Sequence, residues 1–403
     1  MSPLLGCVAD DYTGGTDVAA AYRRSGLRTV LLFGAPPPGT TVPDCDAVIV
    51  ALKTRSIPPR EAVAASRTVQ DWLAGQGVRQ LYFKYCSTFD STDQGNIGPV
   101  ADALAEAGGA GLTVVCPASP EHGRTVYQGH LFVGDRPLAE SPMRHHPLTP
   151  MTDSDLVRVL GRQTPHRVGL VPLHTVERGP VAVRSALEEL AAGGVRHAVT
   201  DAVTDSHLDT IARAAAHLPV ITGAAGLARA TGALAGLDGS AGLPELPPGP
   251  SVVLAGSCSA ATLEQVAHAR AHMPAHYLQA HDGAPAEALD WLKTHLARED
   301  RVMIYSSAPP ERRSPGAAPF LEQTLAAVAA RAAELGARRI VVAGGETSGA
   351  VVNALGVTGA VVGAEADRGV PWLLTTGHPP LALLLKSGNF GRPDLLVRAT
   401  ETP

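Results

Sequence analysis

The chain of 403 residues has few aromatic and few charged side chains. Phe, Trp and Tyr make up 4% of the residues, and Asp, Glu, Lys and Arg make up 18%, against about 25% charged residues in typical globular proteins. Hydrophobic residues account for 45%, so the low charge indicates a well-buried folded protein and excludes a disordered one. Because aromatics are scarce and Ala and Gly abundant, we expect an aliphatic core with close helix–sheet packing.

The sequence gives no indication of a nucleic-acid or membrane partner. The formal charge is −5 and no basic stripe is present, which argues against nucleic-acid binding. No stretch approaches the roughly 18 apolar residues needed to span a bilayer, and no signal peptide is indicated. The five cysteines occur singly, without a CxxC pair or zinc spacing. We therefore expect reduced thiols in a cytoplasmic protein. The expected partners are small molecules, and whether the protein forms a homo-oligomer stays open.

Strand and helix patterns alternate along both halves of the chain, which is typical of βαβ units. A less regular segment, residues 117–150, contains many Pro, His and Gly residues and is predicted to form loops or an inserted flap. Pro and Gly punctuate GSAGLPELPPGP (residues 239–250), which predicts a domain boundary. We predict an α/β fold with two domains, residues 1–240 and 250–403, joined by a linker at 241–249. Each domain is expected to be a mainly parallel sheet flanked by helices.

A run of acids, hydroxyls and glycines, DDYTGGTD at residues 10–17, follows the apolar run Leu4–Ala9. We interpret it as a strand-to-helix turn, with the helix over Asp17–Ser25. In an α/β sheet such a turn lies at the carboxyl edge, where ligands bind. Its carboxylates suit proton abstraction from a hydroxyl or the binding of a divalent cation. The alternative is an Asp N-cap with glycines that allow a tight turn.

Three further polar clusters follow predicted strands in the first domain. They are KTRS (residues 53–56), KYCSTFDST (residues 84–92) and residues 117–127, which include His122, Gly123 and Arg124. Because parallel strands share one carboxyl edge, the clusters are expected to face one crevice. Carboxylates, cations and hydroxyls there suit a small polar anion.

Glycine-rich turns follow predicted strands in the second domain. They are GSCS (residues 256–259), GGETSG (residues 344–349) and KSGNFG (residues 386–391). Such turns can present backbone N–H groups and a helix dipole to phosphate oxygens. The Walker A sequence and the GxGxxG fingerprint are both missing, which argues against a P-loop and against a Rossmann dinucleotide site.

With these motifs in hand, the chain resembles the four-carbon acid sugar kinase family, and within it the 3-oxo-tetronate kinase group. The opening turn is similar to the family's DDFTGATD, with Tyr12 and Gly15 as departures. KYCSTFDSTDQGNIGPV, GRTVYQGHLFV, GGETSGAVV, GAEADRGVPW and KSGNFG resemble family segments in the same order. Ser119 departs from the family's PAFP, which has Phe at that position.

The resemblance implies an ATP-dependent kinase that phosphorylates the C4 hydroxyl of a four-carbon acid sugar in an interdomain cleft, with Mg²⁺ as cofactor. The expected acceptor is 3-oxo-tetronate, and the alternative is an aldonate such as D-threonate or D-erythronate. The N-terminal domain would bind the acid and the C-terminal domain ATP. The expected ATP contacts are Ser257, Ser259, Gly344, Gly345, Glu346, Thr347 and Gly388.

For phosphoryl transfer, we assign proton acceptance to Asp10 or Asp11, with the other acid or Asp17 organising Mg²⁺. The metal ligands themselves stay open. The expected substrate-binding residues are Asp17, Lys53, Arg55, Lys84, Ser87 and Arg124. Two rival functions are an acid-sugar oxidoreductase, disfavoured by the missing GxGxxG, and a ligand sensor without catalysis.

Overall fold

The computed structural model describes residues 4–146, 148–235, 242–314 and 316–401. The chain divides into two compact units, residues 1–241 and 242–403. Residues 239–241 of the predicted boundary segment lie outside the described residues, and the predicted domain and linker limits stay predictions.

The first unit is an α/β structure built on a parallel sheet. Its strands are β1 (Leu5–Ala9), β2 (Thr29–Phe33), β3 (Ala47–Ala51), β4 (Gln80–Lys84), β5 (Thr113–Cys116), β6 (Arg124–Tyr127), β7 (His130–Val133), β8 (Arg136–Pro137), β9 (Arg167–Val171), β10 (Val195–Thr200) and β11 (Val220–Gly223). Its helices are α1 (Tyr12–Arg24), α2 (Pro59–Gly75), α3 (Ile97–Ala107), α4 (Leu156–Gly161), α5 (Leu173–Val176), α6 (Pro180–Ala192), α7 (Asp205–Ala215) and α8 (Ala225–Ala233).

The order β2-β3-β1-β4-β11-β5-β10-β9 describes the parallel sheet of this unit. The chain runs from β1 to β2 and β3 on one side and then to β4 on the other. The strand order therefore reverses between β1 and β4, and such a switch point is where open α/β sheets bind ligands. Every residue of β1, β2 and β3 is buried, as expected for central strands covered on both faces.

The segment predicted as loops or a flap contains regular structure. Strands β6, β7 and β8 form a small antiparallel sheet. The turn between β6 and β7 is Gln128-Gly129, with φ angles of 50° and 74°, and two positive φ angles match the twist of a tight hairpin. The prediction of loops was incomplete because Gln, unlike Asn or Asp, gives no sequence signal for such a turn.

The second unit is also α/β. Its strands are β12 (Ser251–Ala255), β13 (Ala275–Tyr277), β14 (Arg301–Tyr305), β15 (Arg339–Ala343), β16 (Gly359–Asp367), β17 (Val370–Thr375) and β18 (Ala382–Lys386). Its helices are α9 (Ala260–Arg270), α10 (Ala284–Leu296), α11 (Ala318–Glu334), α12 (Gly345–Ala354) and α13 (Leu395–Arg398).

Strands β13-β14-β12-β15-β18 of the second unit are parallel in that order. Strands β17 and β16 continue the sheet in antiparallel fashion. The chain passes from β12 toward β13 and β14, then crosses to β15, so the switch point of this unit lies between β12 and β15. The prediction of a mainly parallel sheet with helices is confirmed for both units.

Candidate active site

The acidic run at residues 10–17 begins at the carboxyl end of β1 and continues into α1. Asp11 has an extended backbone and accepts a hydrogen bond from the Gly14 N–H at 3.0 Å, so it is the N-cap of α1. The Thr13 hydroxyl donates to the other Asp11 oxygen at 2.7 Å. The predicted helix start at Asp17 was therefore wrong by five residues, because the Asp11 cap lets the helix include both glycines.

Arg55 pairs with the two acids that the sequence nominated for catalysis. Its guanidinium donates to both carboxylate oxygens of Asp10, at 2.8 and 2.7 Å, and to Asp11 at 2.6 Å. The loop after β3 holds Arg55 there, since the Thr54 and Arg55 N–H groups donate to the Asp10 carbonyl. The predicted use of Arg55 for the substrate carboxylate stays a prediction, but its guanidinium already neutralises these two acids.

This pairing acts differently on the two acids, because at Asp10 burial outweighs Arg55 and raises the pKa of that carboxyl. Burial raises the pKa of Asp11, but Arg55, Lys84 and the bonds from Thr13 and Gly14 outweigh it and bring that pKa below its usual value. Burial lowers the pKa of Arg55 less than the two carboxylates raise it, so Arg55 is held charged. Asp11 is thus a poor proton acceptor, because its conjugate acid is strongly disfavoured.

Asp17, one and a half turns into α1, lies in a different environment. Its Oδ1 atom is buried without a hydrogen-bond partner among the described residues. Burial raises the pKa of Asp17 to about 7, with Glu121 and Asp11 raising it and Lys84 and Arg24 lowering it. A carboxyl group with a pKa near the working pH and an oxygen without a hydrogen-bond partner has the properties of a general base.

The other predicted substrate-binding residues have different surroundings. Lys84, buried at the end of β4, lowers the pKa of Asp10, Asp11 and Asp17 through its charge. Arg124 donates from Nη1 to the His122 carbonyl and leaves its buried Nε without a partner among the described residues.

Lys53 and Ser87, two further predicted substrate-binding residues, differ in exposure. Lys53 is exposed and its ammonium lies 5.2 Å from the centre of the Tyr12 ring, so it contacts an aromatic face and not the acids. Ser87 is half-buried in the loop after β4. Their proposed contacts with substrate stay predictions.

Sequence reasoning passed over Asp90 and Asn96 as site residues. Asp90 is buried, accepts from the Thr88 hydroxyl at 2.8 Å and lies 3.9 Å from Arg55. Phe89 and Asp90 have φ angles of 65° and 27°, and such strain in residues other than glycine clusters at functional sites. The Asn96 amide donates to the Thr54 carbonyl at 2.6 Å, which fixes the loop that carries Arg55. The residue types Phe89 and Asp90 do not indicate positive φ angles, so this strained turn could not be predicted from the sequence.

The glycine-rich turns of the second unit lie side by side because β12, β15 and β18 are neighbours. The Ser257 N–H donates to the Ala343 carbonyl at 3.0 Å, and the Gly344 N–H to the Lys386 carbonyl at 3.0 Å. The Ser259 and Thr262 hydroxyls both donate to the Gly388 carbonyl, at 2.5 and 2.8 Å. The structure therefore brings together the residues predicted to contact ATP.

The three glycine-rich turns pack so closely that a side chain at Gly256, Gly344 or Gly388 would collide with a neighbouring turn. A Cβ at Gly256 would collide with the Thr347 hydroxyl, and one at Gly388 with the Ser257 hydroxyl. Gly344 has a φ of 133° and a Cβ there would lie 3.1 Å from the Ser257 nitrogen. Gly345 and Glu346 are exposed at the first turn of α12. Backbone and hydroxyl groups thus line a small cradle at the N-termini of α9 and α12, which favours phosphate.

Lys386, the last residue of β18, is fully buried below this cradle. Its ammonium donates to Thr262 Oγ1 at 3.0 Å, Gln265 Oε1 at 2.6 Å, and the Gly388 and Phe390 carbonyls at 3.0 and 3.1 Å. Burial lowers the pKa of Lys386 to about 8. The sequence placed this lysine beside the turn but did not indicate that it points inward and ties the turn to α9.

Among the residues that the structure describes, no group of three or more His, Cys, Asp or Glu side chains is arranged to hold a metal ion. No helix in the part of the chain that the structure describes is long and apolar enough to cross a membrane.

Each of the two units matches a known domain family. Residues 5–231 match the family model of a sugar-binding N-terminal domain, and residues 252–396 match that of a nucleotide-binding C-terminal domain. The chain belongs to the four-carbon acid sugar kinase family. The family assignment made from the motifs is therefore confirmed.

Individual relatives extend the similarity over the full length. The 3-oxo-tetronate kinase of Burkholderia multivorans is 49% identical over 98% of this chain and 96% of its own. That of Methylobacterium radiotolerans is 48% identical over 100% of this chain and 99% of its own. The crystal structure of a Salmonella typhimurium LT2 protein has a TM-score of 0.90, with 42% identity and 98% of each chain covered.

Proposed function

We propose that this protein is an ATP-dependent kinase that transfers the γ-phosphoryl group to the C4 hydroxyl of 3-oxo-tetronate. The observation that carries the proposal is the 49% identity to a 3-oxo-tetronate kinase over 98% of this chain. The acid–base cluster of the first unit and the phosphate cradle of the second supply the two kinds of site that such a reaction needs.

Asp17 is the proton acceptor that the geometry favours. Asp10 and Asp11 share the guanidinium of Arg55, whereas Asp17 keeps a buried oxygen without a partner among the described residues. Phosphoryl transfer requires a group that orients the attacking hydroxyl and takes its proton. The alternative proton acceptor is Asp10 or Asp11, as predicted from the sequence. The kinetics of the Asp10→Asn, Asp11→Asn and Asp17→Asn variants distinguish the three.

Two cations of the first unit, Lys84 and Arg124, are suited to the carboxylate of the substrate. Lys84 is buried beside the acids. Arg124 uses only one guanidinium nitrogen, Nη1, to donate to the His122 carbonyl. An Arg or Lys paired with a carboxylate forms a strong charge-assisted hydrogen bond. We assign the substrate carboxylate to Lys84 and Arg124, with Lys53 and Ser87 at the edge of the site.

The cradle of the second unit would hold the triphosphate. Its donors would be the N–H groups of Gly345, Glu346 and Thr347 and the hydroxyls of Ser257 and Thr347. The Gly344 N–H and the Ser259 hydroxyl already donate to the Lys386 and Gly388 carbonyls. Mg²⁺ binds in kinases mainly through substrate phosphates with one or two carboxylates. Glu346, exposed at the cradle, would then supply a carboxylate, and the metal would neutralise phosphate charge. The meeting of the two sites in a cleft and the homo-oligomer stay predictions.

A substrate panel tests the proposed function. ADP release is measured with ATP and, in turn, 3-oxo-tetronate, D-threonate, D-erythronate and no acceptor. We expect the highest kcat/KM for 3-oxo-tetronate and no release above background without an acceptor. A higher kcat/KM for either aldonate would move the assignment to an aldonate kinase, and no acid-dependent release with any of the three would refute it.

A further inference from the structure

The side chain of Gln163, a buried residue that follows α4, joins two segments of the first unit that lie far from it in sequence. Its amide nitrogen donates to the Thr92 carbonyl at 2.7 Å and to the Ser91 carbonyl at 3.3 Å. The Ser91 hydroxyl lies 3.0 Å from that nitrogen and 3.2 Å from the amide oxygen. The amide oxygen also accepts from the Gly98 N–H at 3.0 Å. One buried amide thus connects the loop after β4 to the first turn of α3.

Gln163 replaces Asn96 in capping α3. Asn96 is the N-cap residue, but its side chain makes no capping hydrogen bond within the described part of the chain. Its amide instead donates to three carbonyls of the loop after β3, those of Thr54, Arg55 and Ile57, at 2.6, 3.3 and 3.2 Å. The first N–H groups of a helix need acceptors from outside its own hydrogen-bond ladder, and Gln163 supplies one of them. Asn96 can therefore hold the loop that carries Arg55.

The same amide holds the strained turn in the loop after β4. Phe89 and Asp90 have φ angles of 65° and 27°, and such conformations persist only where the surrounding contacts impose them. Before the turn ends, Phe89 is fully buried in the core. After it, the next two residues are bonded to Gln163. The turn places the Asp90 carboxylate 3.9 Å from the Arg55 guanidinium.

We propose that Gln163 is a positioning residue of the acid-binding site in the first unit. Its amide fixes the Phe89–Asp90 turn and, through the first turn of α3, the loop that carries Arg55. The Arg55 guanidinium in turn pairs with Asp10 and Asp11. The inference rests on the proposed function, because it gives Gln163 an effect on the binding of the sugar acid.

Gln163→Met tests this role, because methionine keeps the length of the side chain and removes the amide. Gln70→Met is the matched control: both glutamines are 8% exposed, and the Gln70 amide donates to the Leu104 carbonyl at 2.9 Å, in the last turn of α3. Ser91→Ala is a milder variant that removes only the hydroxyl bonded to Gln163. Steady-state kinetics with 3-oxo-tetronate and ATP, and hydrogen exchange of residues 86–95, measure the effects. Denaturant titration verifies folding.

In Gln163→Met we expect the KM for 3-oxo-tetronate to rise about tenfold or more, because small displacements in a binding site are costly. The KM for ATP should stay within about twofold of the wild-type value, since the turn belongs to the first unit. Ser91→Ala should raise the KM for 3-oxo-tetronate about threefold or more, and Gln70→Met should leave both KM values within about twofold. Exchange in residues 86–95 should be faster in Gln163→Met than in the wild type and in Gln70→Met.

A wild-type KM for 3-oxo-tetronate or unchanged exchange in folded Gln163→Met would overturn the inference and leave the kinase assignment intact. An equal rise in Gln70→Met, or an equal rise of the KM for ATP, would also overturn it, because the effect would then be general destabilisation. If Gln163→Met does not fold, Ser91→Ala decides, and a smaller rise than stated for that variant overturns the inference. No acid-dependent ADP release by the wild type would instead refute the proposed function.

Discussion

At the scale of single residues, the three aspartates of residues 10–17 have different surroundings. Asp10 and Asp11 share Arg55, whereas Asp17 has a buried oxygen without a partner among the described residues and a pKa raised to about 7. The order DDYTGGTD does not show this difference. It arises because Ala9 pairs with Ala51 in the register of β1 and β3, which brings Arg55 over the first two acids only.

Asp17→Asn tests the proton acceptor. We expect kcat to fall about 10²- to 10⁴-fold, the usual contribution of a general base. In the wild type, kcat/KM should decrease as the pH falls below about 7, because the protonated Asp17 cannot accept a proton. The pH–rate profile of Asp17→Asn should lack this inflection.

The controls for this prediction are Asp10→Asn, Asp11→Asn and Asp209→Asn. Asp209 forms a partly exposed pair with Arg229, so its substitution should leave kcat unchanged. An unaltered profile near pH 7 in Asp17→Asn, with the inflection lost in Asp10→Asn or Asp11→Asn, would return the role to the acid predicted from the sequence.

Arg55→Met tests how the cluster is held together. Removing the guanidinium leaves the buried Asp10 and the half-buried Asp11 without their hydrogen-bonded cation, so we expect the free energy of unfolding to fall by about 3 kcal/mol. Arg28→Met is the matched control: Arg28 makes a similar two-bond pair with Asp46, but its side chain is 36% exposed. Its loss should cost under about 1 kcal/mol. Denaturant titration measures both, and equal losses would contradict the account.

At the scale of elements, most strands could be predicted because short apolar runs bounded by Gly, Pro or polar residues mark buried parallel strands. Helix starts were harder. The sequence places glycines in a turn, whereas the Asp11 cap draws Gly14 and Gly15 into α1. Helices α5, α8, α10 and α13 were not predicted. The glycine-rich turns were identified through the motifs, and their contact with ATP stays a prediction. The inward contacts of Lys386 with Thr262 and Gln265 were not predicted, because they depend on the packing of α9 against the end of β18.

Gly344→Ala tests the cradle between β15 and α12. Its φ of 133° and its distance from Ser257 leave no unstrained place for a Cβ, so the turn must shift. We expect the KM for ATP to rise at least tenfold. Gly356→Ala is the control, since Gly356 also has a positive φ, 62°, but open space around it. It should lose about 1 kcal/mol of stability through strain and keep its KM. Similar KM values for the two variants would count against the cradle.

Lys386→Met tests the link between the cradle and α9. Four acceptors lose their buried donor, which should raise the KM for ATP and lower the free energy of unfolding by about 1–3 kcal/mol. In the wild type, the KM should also rise as the pH passes about 8, because Lys386 then loses its proton. Steady-state kinetics from pH 7 to 9 measures this. A pH-dependent rise of the same size in Lys386→Met would exclude Lys386 as its source.

At the scale of the whole molecule, the sequence and the structure agree on two α/β units, each with polar residues at the switch point of its own sheet. Hydrogen exchange tests the assignment of one ligand to each unit. ADP should slow exchange in residues 256–259, 344–347 and 386–390, and 3-oxo-tetronate should slow it in residues 10–17, 53–56 and 84–92. Protection by ADP confined to the first unit would reverse the assignment.

The central claim, phosphoryl transfer from ATP to the C4 oxygen of a four-carbon keto acid, is tested most directly by ³¹P NMR of the wild-type reaction. With ATP, Mg²⁺ and 3-oxo-tetronate present, we predict ADP and one phosphomonoester coupled to the C4 protons, formed in equal amounts. ADP with inorganic phosphate and no ester, or ATP that stays unchanged, would contradict it.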